Sequence, residues 1–175
     1  LPRAGINVCI SSWTRNSDNA IPSRAKINGG YANVSLMKNE AILNGYDDAI
    51  ALDSSGNVTE GTVANLFIVR NGELITPNVN SNLLEGITRD SIIKIARDSD
   101  LQVTERTVNR SELYISDEAF ICGSSARITP ILSIDKRMIG NGEMGPITAK
   151  LSDKYANIQK GKIKDYSGWR KDCTF

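Results

Sequence analysis

The Asn-Gly pair at positions 71–72 lies between Asn65-Leu66-Phe67-Ile68-Val69-Arg70 and Glu73-Leu74-Ile75-Thr76, and it constrains this chain more than any other feature. A two-residue hairpin turn of type I′ needs positive φ at both centres, which Asn and Gly tolerate, and the flanking runs are rich in apolar and β-branched residues. The two runs are therefore expected to pair as antiparallel strands, which gives the fold a sheet to be built around.

Further strands are expected at Ile6 to Trp13, where Ile6, Val8, Ile10 and Ser12 alternate with Asn7, Cys9 and Ser11, and at Ala49–Leu52, Leu101–Val108, Ala119–Cys122 and Ile128–Ile134. Helical spacing appears in three places. Tyr31 to Asn44 sets Val34, Met37, Ala41 and Ile42 on an apolar face and meets a glycine stop at Gly45. Thr88 to Arg97 groups Ile92, Ile93 and Ala96, with Thr88 as its expected cap, and Ile147 to Ile158 follows Pro146. Glu112 to Ile115 reads as one helical turn. Strands outnumber helices without strict βαβ alternation, so the expected class is α+β, a sheet or barrel core flanked by helices.

The chain has 175 residues, 21 basic and 20 acidic, interspersed for a net charge of +1. That pattern gives no electrostatic footprint for nucleic acid, and no stretch approaches a membrane span. Cys9, Cys122 and Cys173 are odd in number and far apart, which argues for reduced thiols and a cytoplasmic setting and signals neither a disulfide framework nor a zinc site. The chain contains no histidine. Ser-His-Asp and Cys-His nucleophiles, histidine bases and histidine metal ligands are excluded together, so any proton carrier must be Lys, Asp, Glu, Tyr or Cys.

Four places could carry chemistry. Lys26 has the small or apolar neighbours Ala25 and Ile27 and precedes Gly29-Gly30 in a connection where backbone can approach a ligand. Gly86-Ile87-Thr88 opens a helix, whose free N–H groups favour an anion. Gly123-Ser124-Ser125 offers hydroxyls and N–H groups after a strand, and Glu60-Gly61 places a carboxylate after a turn. Taken singly, each has a plainer and more common reading: a snorkelling lysine, an unliganded helix start, a polar turn and a solvated carboxylate.

Taken together and in order, the motifs resemble the branched-chain aminotransferases of the class IV, fold type IV family. They run Ile21-Pro22-Ser23-Arg24-Ala25-Lys26, Gly29-Gly30-Tyr31, Glu60-Gly61 with Asn65-Leu66-Phe67, Gly86-Ile87-Thr88-Arg89, Gly123-Ser124-Ser125 with Ile128-Thr129-Pro130, and Gly145-Pro146-Ile147-Thr148. The resemblance implies a pyridoxal 5′-phosphate enzyme that moves an amino group between a branched-chain amino acid and 2-oxoglutarate. Lys26 would form the Schiff base and carry the proton between Cα and C4′, Glu60 would pair with the pyridine nitrogen, and Tyr31 would lie beside the 3′ oxygen and the substrate. Gly86, Ile87 and Thr88 would receive the phosphate with a hydroxyl from Ser124, while Ser124 and Ser125 would meet the substrate carboxylate.

The resemblance further implies that residues 1–175 are the larger, C-terminal, cofactor-binding domain. Its partners would be a smaller N-terminal domain absent from this chain and like subunits in a homodimer or higher homo-oligomer. Ala64 stands where many such enzymes carry Glu, and Arg127 where Glu or Thr is common, which leaves the amino donor open. D-amino-acid transaminase, R-selective amine transaminase and aminodeoxychorismate lyase share the Lys and Glu positions, and a fragment that folds without activity is the reading from a different class.

Overall fold

The structure, a computed structural model, describes residues 4–169. Nine strands and four α-helices follow one another as β1 (Ile6–Thr14), α1 (Tyr31–Leu43), β2 (Asp48–Leu52), β3 (Val58–Gly61), β4 (Asn65–Arg70), β5 (Glu73–Pro77), α2 (Ile87–Arg97), β6 (Val103–Arg106), α3 (Arg110–Leu113), β7 (Glu118–Gly123), β8 (Arg127–Ile134), β9 (Arg137–Met138) and α4 (Pro146–Gln159). The expected hairpin is β4–β5. Asn71 and Gly72 take φ of +52° and +78°, and Arg70 faces Glu73.

The sheet runs β3-β2-β1-β8-β7-β4-β5-β6, with β9 paired to β8. Pairings are parallel at β1–β2, β1–β8 and β5–β6 and antiparallel elsewhere. The two ends of this order curl toward each other. The Val58 N–H donates to Val108 O at 2.9 Å, and Asn57 pairs with Asn109 in an antiparallel bridge. The result is a curled mixed sheet approaching a barrel.

Alternation along the strands sorts side chains into two populations. Leu66 and Ile68 of β4 and Ala119 and Ile121 of β7 point inward with Ile6, Val8, Ile50 and Ile131 to fill the interior. Phe67, Val69, Phe120 and Cys122 point outward under α2 and α4, where they meet Ile92, Ile95, Ala96 and Leu151. Phe67 and Phe120 face each other across β4–β7 and stack with centroids 5.0 Å apart, an arrangement worth about 0.5–1.5 kcal/mol beyond the area buried. A third cluster joins Met37 and Ala41 of α1 to Cys9, Ala49 and Ala51, whose small side chains let the helix lie close.

Several expectations are corrected. Ile42 is 57% exposed, because Val34, Met37 and Ala41 form the buried stripe and the next residue is turned about 100° away from it. On β1, Cys9 and Ser11 are buried along with Ile6 and Val8, since the strand is covered on both faces. Thr88 does not cap α2. The helix starts at Ile87 with Gly86 ahead of it, and no side chain caps its first turn. The strand expected over Leu101–Val108 is shorter, and β3 and β9 had not been expected.

Candidate functional site

The rim of the barrel gathers the chemistry. β1 ends beside Arg15, β3 ends at Glu60-Gly61, β4 begins at Asn65 opposite Cys122 of β7, and β7 ends at Gly123. These ends surround a cavity of about 470 Å³. Lys26, Tyr31, Glu60, Gly86, Ile87, Thr88, Ser124 and Ser125, drawn from separate stretches of chain, all line it. Each residue expected at the site is therefore brought to one place.

Lys26 lies between short 3-10 turns at Ser23–Ala25 and Asn28–Gly30 and adopts the left-handed conformation, φ 49° and ψ 42°. For a side chain with a Cβ that conformation costs on the order of 1–2 kcal/mol and persists only where the surroundings impose it. Lys26 is exposed, as are Tyr31, Ile87, Ser124 and Ser125, so these groups form the open part of the cavity wall.

Glu60 is the opposite case. Only 4% of it is exposed, so the plainer reading of a lone solvated carboxylate does not hold. Arg15 donates to its Oε1 at 2.8 Å, Asn65 Nδ2 to its Oε2 at 3.0 Å, and the Leu84 N–H lies 3.3 Å from both oxygens. Burial pushes the carboxyl up to about 7, against the opposing pull of the Arg15 charge and the Leu84 N–H. A carboxylate tuned by burial and by the charges of Arg15 and, more weakly, Arg89, set in a cleft, is a group poised to meet a further positive or proton-bearing partner.

The α2 N-terminus completes the set. No side chain caps its first turn, and Gly86, Ile87 and Thr88 line the cavity, so the unpaired donors of a helix start, the kind of group that favours an anion, lie at its wall. A Cβ on Gly86 would come within 2.2 Å of Asn65 Oδ1, so the glycine lets Asn65 reach Glu60 and the Leu84 carbonyl at once.

Arg15 and Asn65 were missed as functional positions. In the sequence Arg15 belongs to the polar run Arg15-Asn16-Ser17-Asp18-Asn19, and nothing local connects it to Glu60, forty-five positions away. The Gly145-Pro146 motif has a structural role instead. Glu118 Oε1 accepts from the Ile147 N–H at 3.0 Å and Oε2 from the Thr148 N–H at 2.7 Å, and a Cβ at position 145 would collide with this carboxylate.

The chain belongs to the class IV aminotransferase family, whose model, described as amino-transferase class IV, matches residues 1–134. Among curated proteins it is 50% identical over 166 residues to one of Aquifex aeolicus (strain VF5) named "Probable branched-chain-amino-acid aminotransferase", covering 94% of this chain and 53% of that protein. Among solved structures it matches the branched-chain amino acid aminotransferase of Thermobaculum terrenum in its PLP form, at 46% identity and a TM-score of 0.93, over 94% of this chain and 54% of that one. The branched-chain aminotransferase of the thermophilic archaeon Thermoproteus uzoniensis, solved with norvaline, matches at 42% identity and a TM-score of 0.93, over 97% of this chain and 56% of that one. These likenesses define the fold as that of the branched-chain aminotransferases, fold type IV. The chain spans about half the length of the curated relatives it matches.

Proposed function

We propose that residues 1–175 form the larger, cofactor-bearing domain of a pyridoxal-phosphate-dependent branched-chain aminotransferase, acting in the cytoplasm on leucine, isoleucine or valine with 2-oxoglutarate as acceptor. A smaller N-terminal domain and a second subunit would complete the site. The observation that carries this reading is the meeting, around one cavity, of a lysine amine, a buried carboxylate and an uncapped helix N-terminus in a chain without histidine.

The residues present fit pyridoxal phosphate. Glu60 is a buried carboxylate whose own partners do not neutralise the cost of its burial, and a protonated ring nitrogen would supply what is missing. Ile87 and Thr88 offer N–H groups at a helix start behind the close-packed Gly86, and Ser124 adds a hydroxyl, all toward a phosphate. The bound cofactor would contribute an aldehyde for the amine and an electron sink for the bond broken at the substrate's α-carbon.

Lys26 would hold the aldehyde carbon and, once displaced, move the proton at the substrate's α-carbon, a duty no histidine in this chain can take. Tyr31, at the open wall, would orient the ring's hydroxyl side and the substrate. Ser124 and Ser125 would present N–H groups to the substrate carboxylate from the β7–β8 turn. Val63 and Ala64, apolar and lining the same cavity, leave room beside them for an aliphatic side chain.

The test is a single-turnover reaction of the full-length protein with added pyridoxal phosphate. The expected result is an adduct on Lys26 after borohydride reduction and conversion of the cofactor to its amine form by L-leucine. Reduction that labels Lys94 or Lys150 instead, or conversion by D-alanine but not L-leucine, overturns the assignment.

A further inference from the structure

The stretch that carries Lys26 is the least anchored part of the site. None of residues 16–30 is buried. Among the described residues, every hydrogen bond they make reaches no more than four positions along the chain, with a single exception. That exception is Arg24, whose Nε donates to Glu85 Oε1 at 2.5 Å and whose second guanidinium nitrogen donates to Val79 O at 2.8 Å. Glu85 immediately precedes Gly86 and the first turn of α2. One side chain thus ties the segment bearing the amine to the segment that opens α2.

We infer that Arg24 is a positioning residue that holds Lys26 in its left-handed conformation against the cavity by clasping Glu85 and the Val79 carbonyl. The fork geometry of a guanidinium lets it meet two acceptors on different residues at once, which a lysine ammonium does poorly. The strained backbone at Lys26 needs such an outside constraint, since the turns on either side are short and local. Arg24 and Glu85 side chains are 46% and 51% exposed, so the clasp adds little to global stability and acts on the segment alone. What the clasp does for the cofactor rests on the reading of Lys26 given above; the tether itself does not.

The test uses the full-length protein and two readouts. The first is amide hydrogen exchange over residues 16–30 without cofactor. The second is the rate at which Lys26 captures added pyridoxal phosphate, its amine adding to the aldehyde carbon as water leaves, with borohydride trapping the bond. Arg24→Ala is expected to speed exchange in 16–30 and slow capture, each by about five- to tenfold, while exchange in α2, α4 and the barrel is unchanged. Arg24→Lys should fall between. The exchanged pair Arg24→Glu with Glu85→Arg should recover both readouts relative to Arg24→Glu alone.

Unchanged exchange in Arg24→Ala overturns the tether, and faster exchange with unchanged capture overturns the positioning role. No recovery in the exchanged pair overturns the part assigned to Glu85. If the wild-type protein traps nothing on Lys26, the functional reading fails, and the exchange data still decide the tether.

Discussion

The Arg15 guanidinium meets Glu60 across 2.8 Å, with both side chains almost sealed from water. Removing one member of a buried pair leaves the other charge without its partner, a loss of about 3–5 kcal/mol unless the survivor changes protonation. Glu60 can take up a proton. Arg15→Met is therefore expected to move the pH at which the leucine half-reaction reaches half its maximum upward by about one unit or more, with Arg15→Lys intermediate. A profile unmoved in Arg15→Met would show that the guanidinium does not govern the carboxyl.

The same carboxyl should leave a mark on stability. Its folded-state pKa, about 7, lies above the ordinary 4.5, so the folded protein holds this proton more tightly than the unfolded chain. Stability from this group is then full below about 4.5 and falls as pH rises through about 7, by on the order of 3 kcal/mol. Urea titrations of cofactor-free wild type and Glu60→Gln across pH 4.5–8 should diverge by that slope, and parallel curves would count against the burial-raised carboxyl.

Glu60→Gln also separates binding from chemistry. The amide keeps the shape of the side chain but lacks the charge that a protonated ring nitrogen would require, while the proposed phosphate site at Ile87, Thr88 and Ser124 is untouched. Cofactor should stay bound while the half-reaction slows by on the order of ten- to a hundredfold, the loss of one charge-assisted bond. Rapid mixing with leucine measures it.

At Gly86 the constraint is space, since its φ of −73° suits any residue. Gly86→Ala must push aside Asn65, which is held by both Glu60 and the Leu84 carbonyl. Overpacking of this kind costs about 1–3 kcal/mol, and here the displaced group also supports the carboxylate. A lower urea midpoint together with weaker cofactor retention on dialysis is expected. Loss of stability alone would separate the glycine from the site.

Gly145→Ala makes the contrasting case. It displaces Glu118 from the first turn of α4 and forfeits two hydrogen bonds to a charged group, about 1.5–3 kcal/mol for each bond lost. Because α4 packs outside the sheet, thermal stability should fall while the absorbance of the bound cofactor stays as in wild type.

The hairpin at Asn71-Gly72, the stop at Gly45 and the helix after Pro146 were legible because turn and helix-start chemistry is local. The residues that meet at the cavity were legible through the order of their motifs rather than through the character of any one of them. Glu60 looked solvated because its burial depends on Arg15 and on Leu84, which the chain brings in from either side. Thr88 looked like a cap because threonine usually serves there, whereas here α2 leaves its first donors open and the preceding residue carries no side chain at all. Ile42 was misplaced by a single step around its helix, since an apolar residue beside a buried stripe carries no sign of which edge it lies on.

Because the barrel interior is filled by Ile6, Val8, Ile50, Leu66, Ile68, Ile121 and Ile131, the cavity sits on top of the sheet and owes it a foundation rather than an enclosure. Foundation and workbench can then change at different tempos. A residue on a strand-connecting turn at the rim, such as Val63, 65% exposed, can be exchanged without opening a void beneath it. Substitutions at that turn should therefore alter the cavity wall while leaving the fold intact.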